Sequence, residues 1–459
     1  MRTIPSLASC RASLTKALTL TAMLSVATPA GAQTDYKTVG GTFLWKVHTS
    51  FLKSDATPNA NVKMYANVLN HQSGSGSYIQ GTDVAYLWTH ENMIRALYWG
   101  ARTNPDRFQP LLINAIKQLE WYKNPNCDGS KPNDGYSGGY GVRHGNPCYY
   151  DDNSLLGGIM MNVYLHAYLN PDASNAALYA LNYVQANINK HGGVPQKPDD
   201  PEADVKYYMS PITRLGTAFG DWSARFPDKP IAAERLAFAQ QKFTQVNDPN
   251  LELYLADSGL FRGSTRWVGP NANDYDGEGG SLAGNSTGVI ALALAIYHNT
   301  NSQAKLDFAR TLMNNVLATS KWFPSTGGIK QDAPTGAYAV VDLLCQLYLI
   351  DGNVKWYNKA KSLVDFLTGP GRDRFNWFAN GAPNDGDGSD DGDPLGLDGT
   401  WAEDRSGSSR PADAKVRLLT QSAAAAAILE FAYIDQVKNG NVLPSTLNEA
   451  DVGLGGQEE

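Results

Sequence analysis

The chain has 459 residues, a formal net charge of −7, 18% charged and 42% hydrophobic residues. That length can bury a large core, while the acidic balance and the absence of any Lys/Arg run argue against nucleic acid, which demands a basic face. Its 10 Trp and 23 Tyr suit sugar handling, although aromatic cores account for most such residues.

The first residues read as targeting rather than fold. Arg2, Arg11 and Lys16 precede the apolar run ALTLTAMLSVA, which ends in the small-residue signal Ala30-Gly31-Ala32. Residues 1–32 are therefore expected to be a signal peptide, with the mature chain starting near Gln33. That run is too short to span a bilayer, and no later window offers roughly 20 uninterrupted apolar residues. Residues 441–459 form a polar tail without the hydrophobic stretch of a lipid-anchor signal. The expectation is an exported protein, extracellular or periplasmic, monomeric and with no membrane partner.

Beyond the leader, paired helical segments recur: a nearly all-apolar helix, a short polar turn, then a helix with one apolar stripe. DVAYLWTHENMIRALYW (83–99) pairs with RFQPLLINAIKQLEWY (107–122). A long connection follows, containing Cys127 and Cys148. With Cys10 in the leader and Cys345 reading as a small buried hydrophobe in VVDLLCQLYLI, an exported protein is expected to join Cys127 to Cys148. Closing that loop contributes about 3 kcal/mol in the loop-entropy account.

Residues 152–188 hold the second pair. The third joins YYMSPITRLGTAFGDWSARF (207–226) to IAAERLAFAQQKFTQV (231–246), the fourth lies in 286–317 and the fifth in 336–367. In the fourth, Leu306, Ala309, Leu312, Met313, Val316 and Leu317 share one face, as in an outer helix with one wet side. Its partner VIALALAIY is apolar all round. A sixth inner helix, RLLTQSAAAAAILEFAYI (417–434), has nothing after it, so NVKMYANVLN (61–70) is the candidate to close the ring. Six inner and six outer helices make an all-α (α/α)6 barrel, a single domain over residues 33–440. Connections from each outer helix to the next inner one are long and rich in Gly, Pro and Asp, whereas those within a pair are short. The long ones should share one face and build a cleft there.

At the entry of the second inner helix stands CYYDDNSLLGG (148–158). One aspartate is explained by helix capping. The second is not, because adjacent helical side chains diverge by about 100° and meet in one cleft only at a helix mouth. Retaining glycoside hydrolysis needs two carboxyl groups about 5–5.5 Å apart, one ionised and one protonated, and mutual repulsion supplies that asymmetry. The stretch YYDDNSLLG resembles the Tyr-Tyr-Asp-Asp-Asn-x-x-x-Gly signature of glycoside hydrolase family 76, the endo-α-1,6-mannanases, whose fold is an (α/α)6 barrel. The likeness extends loosely over residues 83–436, including GNSTGVIALALAIYHNTNSQAKLDFA and YAVVDLLCQLYLIDGNVKWYNKA. It implies Asp151 as nucleophile and Asp152 as acid/base, with Tyr149, Tyr150, Asn153 and Asn285 lining the sugar site. The chain departs from the family pattern at HGGVPQ (191–196) and KYYMSPITR (206–214), where the family has a Gly-Gly-aromatic stretch and a Lys-Asn-containing helix start.

Further candidates come from position alone. Trp88, Trp267, Tyr275, Trp322, Trp377 and Trp401 lie near the cleft rim, where rings stack on sugars, and Tyr207 and Tyr208 stand beside them. Glu91, Asp274, Asp276 and Glu278 are rival carboxylates. Asp385, Asp387, Asp391 and Asp393, in NDGDGSDDGD, resemble alternating ligands of a structural calcium ion, but the terminal bidentate Glu is missing and a solvated acidic loop explains the run as well. No cofactor is expected in the chemistry. The expected function is endo-cleavage of α-1,6-mannan; the alternatives are hydrolysis or transglycosylation of another α-linked glycan, or noncatalytic glycan binding in the same cleft.

Overall fold

The computed structural model describes residues 34–57, 61–71, 78–127, 138–143, 148–166, 170–198, 205–269, 275–281, 283–319, 323, 333–369 and 415–440. Among these, twelve α-helices carry the fold: α1 (Tyr36–Phe51), α2 (Leu87–Thr103), α3 (Pro105–Gln118), α4 (Tyr150–His166), α5 (Pro171–Ala186), α6 (Met209–Arg225), α7 (Ala232–Val246), α8 (Ala283–Thr300), α9 (Gln303–Ala318), α10 (Ala333–Asp351), α11 (Val354–Thr368) and α12 (Leu418–Lys438). Short strands decorate them: β1 (Leu52–Ala56), β2 (Lys63–Tyr65), β3 (Val68–His71), β4 (Tyr78–Gln80), β5 (Lys123–Asn124), β6 (Gly139–Tyr140), β7 (Lys206–Tyr208), β8 (Tyr254–Leu255), β9 (Leu260–Trp267), β10 (Tyr275–Ser281) and β11 (Lys415–Arg417). From Tyr36 onward the chain forms one compact unit. The proposed signal peptide, the tail 441–459 and the Asp-Gly run 384–393 lie outside the described residues.

The even-numbered helices form a closed circuit. α2 packs on α4, α4 on α6, α6 on α8, α8 on α10, α10 on α12, and α12 returns to α2. Each outer helix packs on its inner partner: α3 on α2, α5 on α4, α7 on α6, α9 on α8 and α11 on α10. The fold is the (α/α)6 barrel. The inner helices α2, α4, α6 and α8 run parallel, because residues at like heights meet: Arg102, Arg225 and His298, each in a last turn, all act electrostatically on His166 in the last turn of α4.

The sixth outer helix differs from the sequence expectation. It is α1, packed on α12, while residues 61–70 contribute β2 and β3. β3 bonds β4 on one side and β11 on the other, so this segment joins the strand preceding α12 to the one preceding α2. Met64, Ala66 and Val68 recur at every second position, the period of a strand. The two Gly in YKTVGGTFLWKVHTSF lower helix propensity, yet close packing needs one of them. A Cβ at Gly40 would lie 2.9 Å from Ile428 and 3.0 Å from Leu429 on α12. Gly100 does the same for α2, where a Cβ would come within 2.7 Å of Leu44.

Periodicity located the remaining faces correctly. On α9, Leu306, Ala309, Leu312, Met313 and Val316 are buried, and Leu317 packs partly buried beside them. α8 is buried nearly all round, as is the alanine run Ala423–Ala427 of α12, whose small side chains let neighbouring helices approach. Each fully buried Leu, Val or Ile contributes about 1.5–3 kcal/mol relative to exposure. Among the described residues no helix is long and apolar enough to cross a membrane.

Candidate active site

The connections fall into two classes. Asn104 alone separates α2 from α3, and Asn301 and Ser302 separate α8 from α9, whereas residues 119–149, 187–208 and 247–282 lead into α4, α6 and α8. The long segments sit at the N-terminal ends of the inner helices and make the barrel mouth. Their strands bind one another there: β9 pairs with β7, β8 and β10, with Tyr208 opposite Ser264 and Trp267 opposite Tyr275.

The segment before α4 is pinned at several points. A disulfide joins Cys127 to Cys148, with Cα atoms 5.2 Å apart, and Cys345 is free and buried, both as expected. The backbone N–H of Tyr150 donates to Gln196 O at 2.9 Å, and that of Leu87 to Val142 O at 3.0 Å, tying the mouths of α4 and α2 to the neighbouring loops. Asn153 spends its whole amide here. Its Oδ1 accepts from Tyr140 N, and its Nδ2 donates to Tyr140 O and Tyr149 O, each at 2.8 Å.

Asp151 and Asp152 occupy the first turn of α4. Asp151 does cap: its Oδ1 accepts the Asp152 N–H at 2.9 Å, and Gln196 Nε2 approaches Oδ2 at 3.4 Å. Asp152 makes no side-chain hydrogen bond to any described residue. Both side chains keep partial access to solvent, as groups that meet a substrate do, but the surrounding protein strips most of their hydration. That desolvation raises the proton affinity of both. For Asp151 the hydrogen bonds from backbone N–H groups and Gln196 pull it back. For Asp152 the negative charges of Asp151 and Glu91 add to desolvation and push it well above the ordinary carboxylate range. On ionisation the pair therefore holds one carboxylate, at Asp151, and one carboxylic acid, at Asp152.

The structure separates the expected sugar-binding residues into two groups. Tyr150, Asn153 and Tyr207 are enclosed, at 3%, 0% and 0% exposure. The Tyr150 ring stacks on Tyr183 at 5.0 Å, the Asn153 amide is consumed by backbone, and Tyr207 packs against Gly193. These three are packed into the wall beside Asp151 and Asp152 rather than exposed at its surface. The others remain at the mouth. Trp88, in the first turn of α2, is 41% exposed. Tyr149 and Tyr208 are half-buried at the entries of α4 and α6. Asn285, in the first turn of α8, is buried with its Nδ2 unpartnered among the described residues, beneath Gly263 of β9. Trp267 has one face taken by His191, at 4.8 Å and 25° between planes. The side chains of Tyr275, Asp276 and Glu278, and all of Asp274, Trp322, Trp377 and Trp401, lie outside the described residues. Two contributors were not singled out from sequence as parts of the pair's surroundings: Gln196, inside the departing HGGVPQ stretch, and Glu91, which had been a rival carboxylate.

Among the described residues no group of three or more His, Cys, Asp or Glu is placed to hold a metal ion. Asp385, Asp387, Asp391 and Asp393 of the Asp-Gly run fall outside them.

The fold and the site together are an (α/α)6 barrel with a carboxylate pair at the entry of an inner helix. No protein-family model matches the chain, and no curated protein matches it by sequence. Solved structures do match. A GH76 α-mannanase from Bacteroides thetaiotaomicron aligns over 89% of this chain and 98% of its own, with a TM-score of 0.66 and 18% identity. A family 76 glycoside hydrolase (mannosidase) of B. thetaiotaomicron VPI-5482 aligns over 88% and 100%, with a TM-score of 0.67 and 14% identity. An α-1,6-mannanase of Salegentibacter sp., crystallised as an inactive variant with two consecutive aspartates changed to asparagine and in complex with α-1,6-mannotriose, aligns over 87% and 99%, with a TM-score of 0.60 and 15% identity. At these identities the likeness is one of fold, and the fold is GH76-like.

Proposed function

We propose that the protein is a secreted retaining glycoside hydrolase that cuts internal α-1,6-mannosidic linkages of mannan. The observation that carries this reading is the pair in the first turn of α4, placed together and unequal: hydrogen bonds hold back the rise in proton affinity of Asp151, while burial and two negative neighbours raise Asp152 well above the ordinary carboxylate range. The Asp151 carboxylate attacks the anomeric carbon while the bond to the leaving oxygen breaks and Asp152 gives that oxygen its proton. Asp152, now a carboxylate, takes a proton from water, whose oxygen attacks the same carbon and releases Asp151. Two inversions at one carbon retain its configuration. No metal or cofactor is assigned to these steps. The mannotriose and the aspartate pair of the Salegentibacter structure support the choice of substrate and of residues. Trp88 offers an exposed ring for stacking, and the unpaired Asn285 Nδ2 offers a donor to a sugar hydroxyl.

The test is product analysis with linear α-1,6-mannan beside a panel of other α-glycans. Short manno-oligosaccharides of retained configuration, absent with Asp151→Asn, are expected. Cleavage of a different glycan alone would keep the carboxylate chemistry and move specificity to the Gln196 loop. Binding without cleavage of any glycan would overturn the enzyme reading.

A further inference from the structure

Directly below the aspartates the barrel axis holds an ion pair that the two-carboxylate reaction does not itself require. Glu91 is fully buried on α2. Its Oε1 accepts from Arg95 Nη2 at 2.5 Å, and its Oε2 from Asn92 Nδ2 at 2.9 Å. Asn92 also donates to Trp88 O at 3.0 Å, and the Arg95 guanidinium lies over the Tyr338 ring of α10 at 4.4 Å. Taking two charges out of water costs several kcal/mol per ion, and well-packed apolar residues often serve stability as well or better. A buried pair at this place therefore asks for a reason other than stability.

Its position supplies one. Glu91 is the fifth residue of α2, Asp152 the third of α4, and these parallel neighbours are packed together. At about 1.5 Å per residue the two carboxyls differ in depth by roughly 3 Å. Arg95 sits one turn deeper. The pair is thus a dipole lying along the axis with its negative end toward the mouth. We infer that Glu91 is a positioning residue that keeps Asp152 in its proton-donating form, and that Arg95 anchors the Glu91 carboxylate where it does so. The charge of Glu91 acts on Asp152 and on Tyr338, as this arrangement requires.

The charged groups that act on Asp152 are Asp151 on its own helix and Glu91 on α2, while Arg95, Arg214 and Asp342 act, with Glu91, on Tyr338 of α10. Arg214 opposes Glu91 in its action on Tyr338, and Asp151 reinforces Glu91 in its action on Asp152.

The inference rests on the reading of Asp152 as acid/base. It is tested by the pH dependence of kcat/KM on the glycan that the wild-type protein cleaves. The basic limb reports loss of the Asp152 proton. Glu91→Gln removes the repelling charge and leaves the Arg95 cation nearby, so the basic limb should move down by roughly one pH unit, a tenfold loss of activity above it and little below. The double variant Glu91→Gln, Arg95→Met strands no buried charge and should fold; its limb should move the same way by less. Equal loss at all pH values, an unmoved limb, or failure of both variants to fold would overturn the inference and assign the pair to the barrel's stability. A wild-type protein inert on every glycan would instead overturn the proposed function.

Discussion

The two ends of the barrel are built from the same six inner helices and are chemical opposites. At the mouth, long connections enter first turns carrying Trp88, Asp151, Asp152 and Asn285. At the base, connections as short as Asn104 leave last turns carrying Arg102, His166, Arg225 and His298. Acids at N-termini and bases at C-termini both suit the helix dipole. Burial outweighs the dipole at both ends: it raises Asp151 and Asp152, and it lowers His166 to about 4, helped by Arg102, Arg225 and His298. What separates the ends is satisfaction of polar groups. Arg102 bonds the hydroxyls of Tyr98, at 3.0 Å, and Tyr433, and lies over the Tyr433 ring at 4.1 Å. Asp152 and the Asn285 Nδ2 have no such partners among the described residues. Arg102 so ties α2 to α12 at the base, although its Nε is itself buried without a partner, whereas the mouth leaves a carboxyl group and an amide unpaired among the described residues.

Substitutions at each end should break this contrast in different observables. Asp151→Asn, at the mouth, should lower kcat by about 10⁴-fold, or about 5 kcal/mol of barrel chemistry, without lowering the melting temperature, since it removes a desolvated charge. A fall in stability that matched the fall in activity would place Asp151 among structural groups. Replacing both Cys127 and Cys148 by Ser should cost about 3 kcal/mol in denaturant unfolding and should also slow turnover, because the bridge holds the approach to α4. Arg102→Met, at the base, should cost about 2 kcal/mol by stranding two tyrosine hydroxyls, with kcat/KM unchanged.

A pH-dependent effect concerns Asp221, in the last turns of α6, which burial and then the nearby Asp342 raise from 3.8 to about 7. Between those values the folded state binds a proton that the unfolded chain has released. Its contribution is therefore present below about pH 4 and lost as pH rises through 7. The melting temperature should fall across that window, and Asp221→Asn should flatten the slope, as scanning calorimetry at several pH values would record.

The helices announced themselves in the sequence wherever one face had to be dry. Leu306 to Val316 at three- and four-residue steps, or the unbroken apolar run of α8, leave little choice of element. α1 hid because Gly40 and Gly41 weaken its helical signal, and Gly40 is there for contact with Ile428 and Leu429, a partner nearly 400 residues away that no local window contains. At the site, neighbours in sequence were legible and neighbours in space were not. Asp151 beside Asp152 could be read directly. The burial of Tyr150 against Tyr183, the consumption of the Asn153 amide by Tyr140, and the approach of Gln196 each depend on which loops meet at the mouth. Tyrosine and asparagine look alike in sequence whether they wait for a sugar or hold a wall.

The circuit of inner helices closes only where α12 meets both α2 and α10. Until that last helix exists, the five earlier inner helices present an open crescent whose two apolar edges have no cover. A chain emerging from left to right cannot dry its interior piece by piece, and joining its distant ends carries the entropy of a very large loop. The barrel therefore closes only after α12 has been made, and a chain cut short before the alanine-rich α12 should be a target for chaperones and proteases rather than a smaller stable barrel.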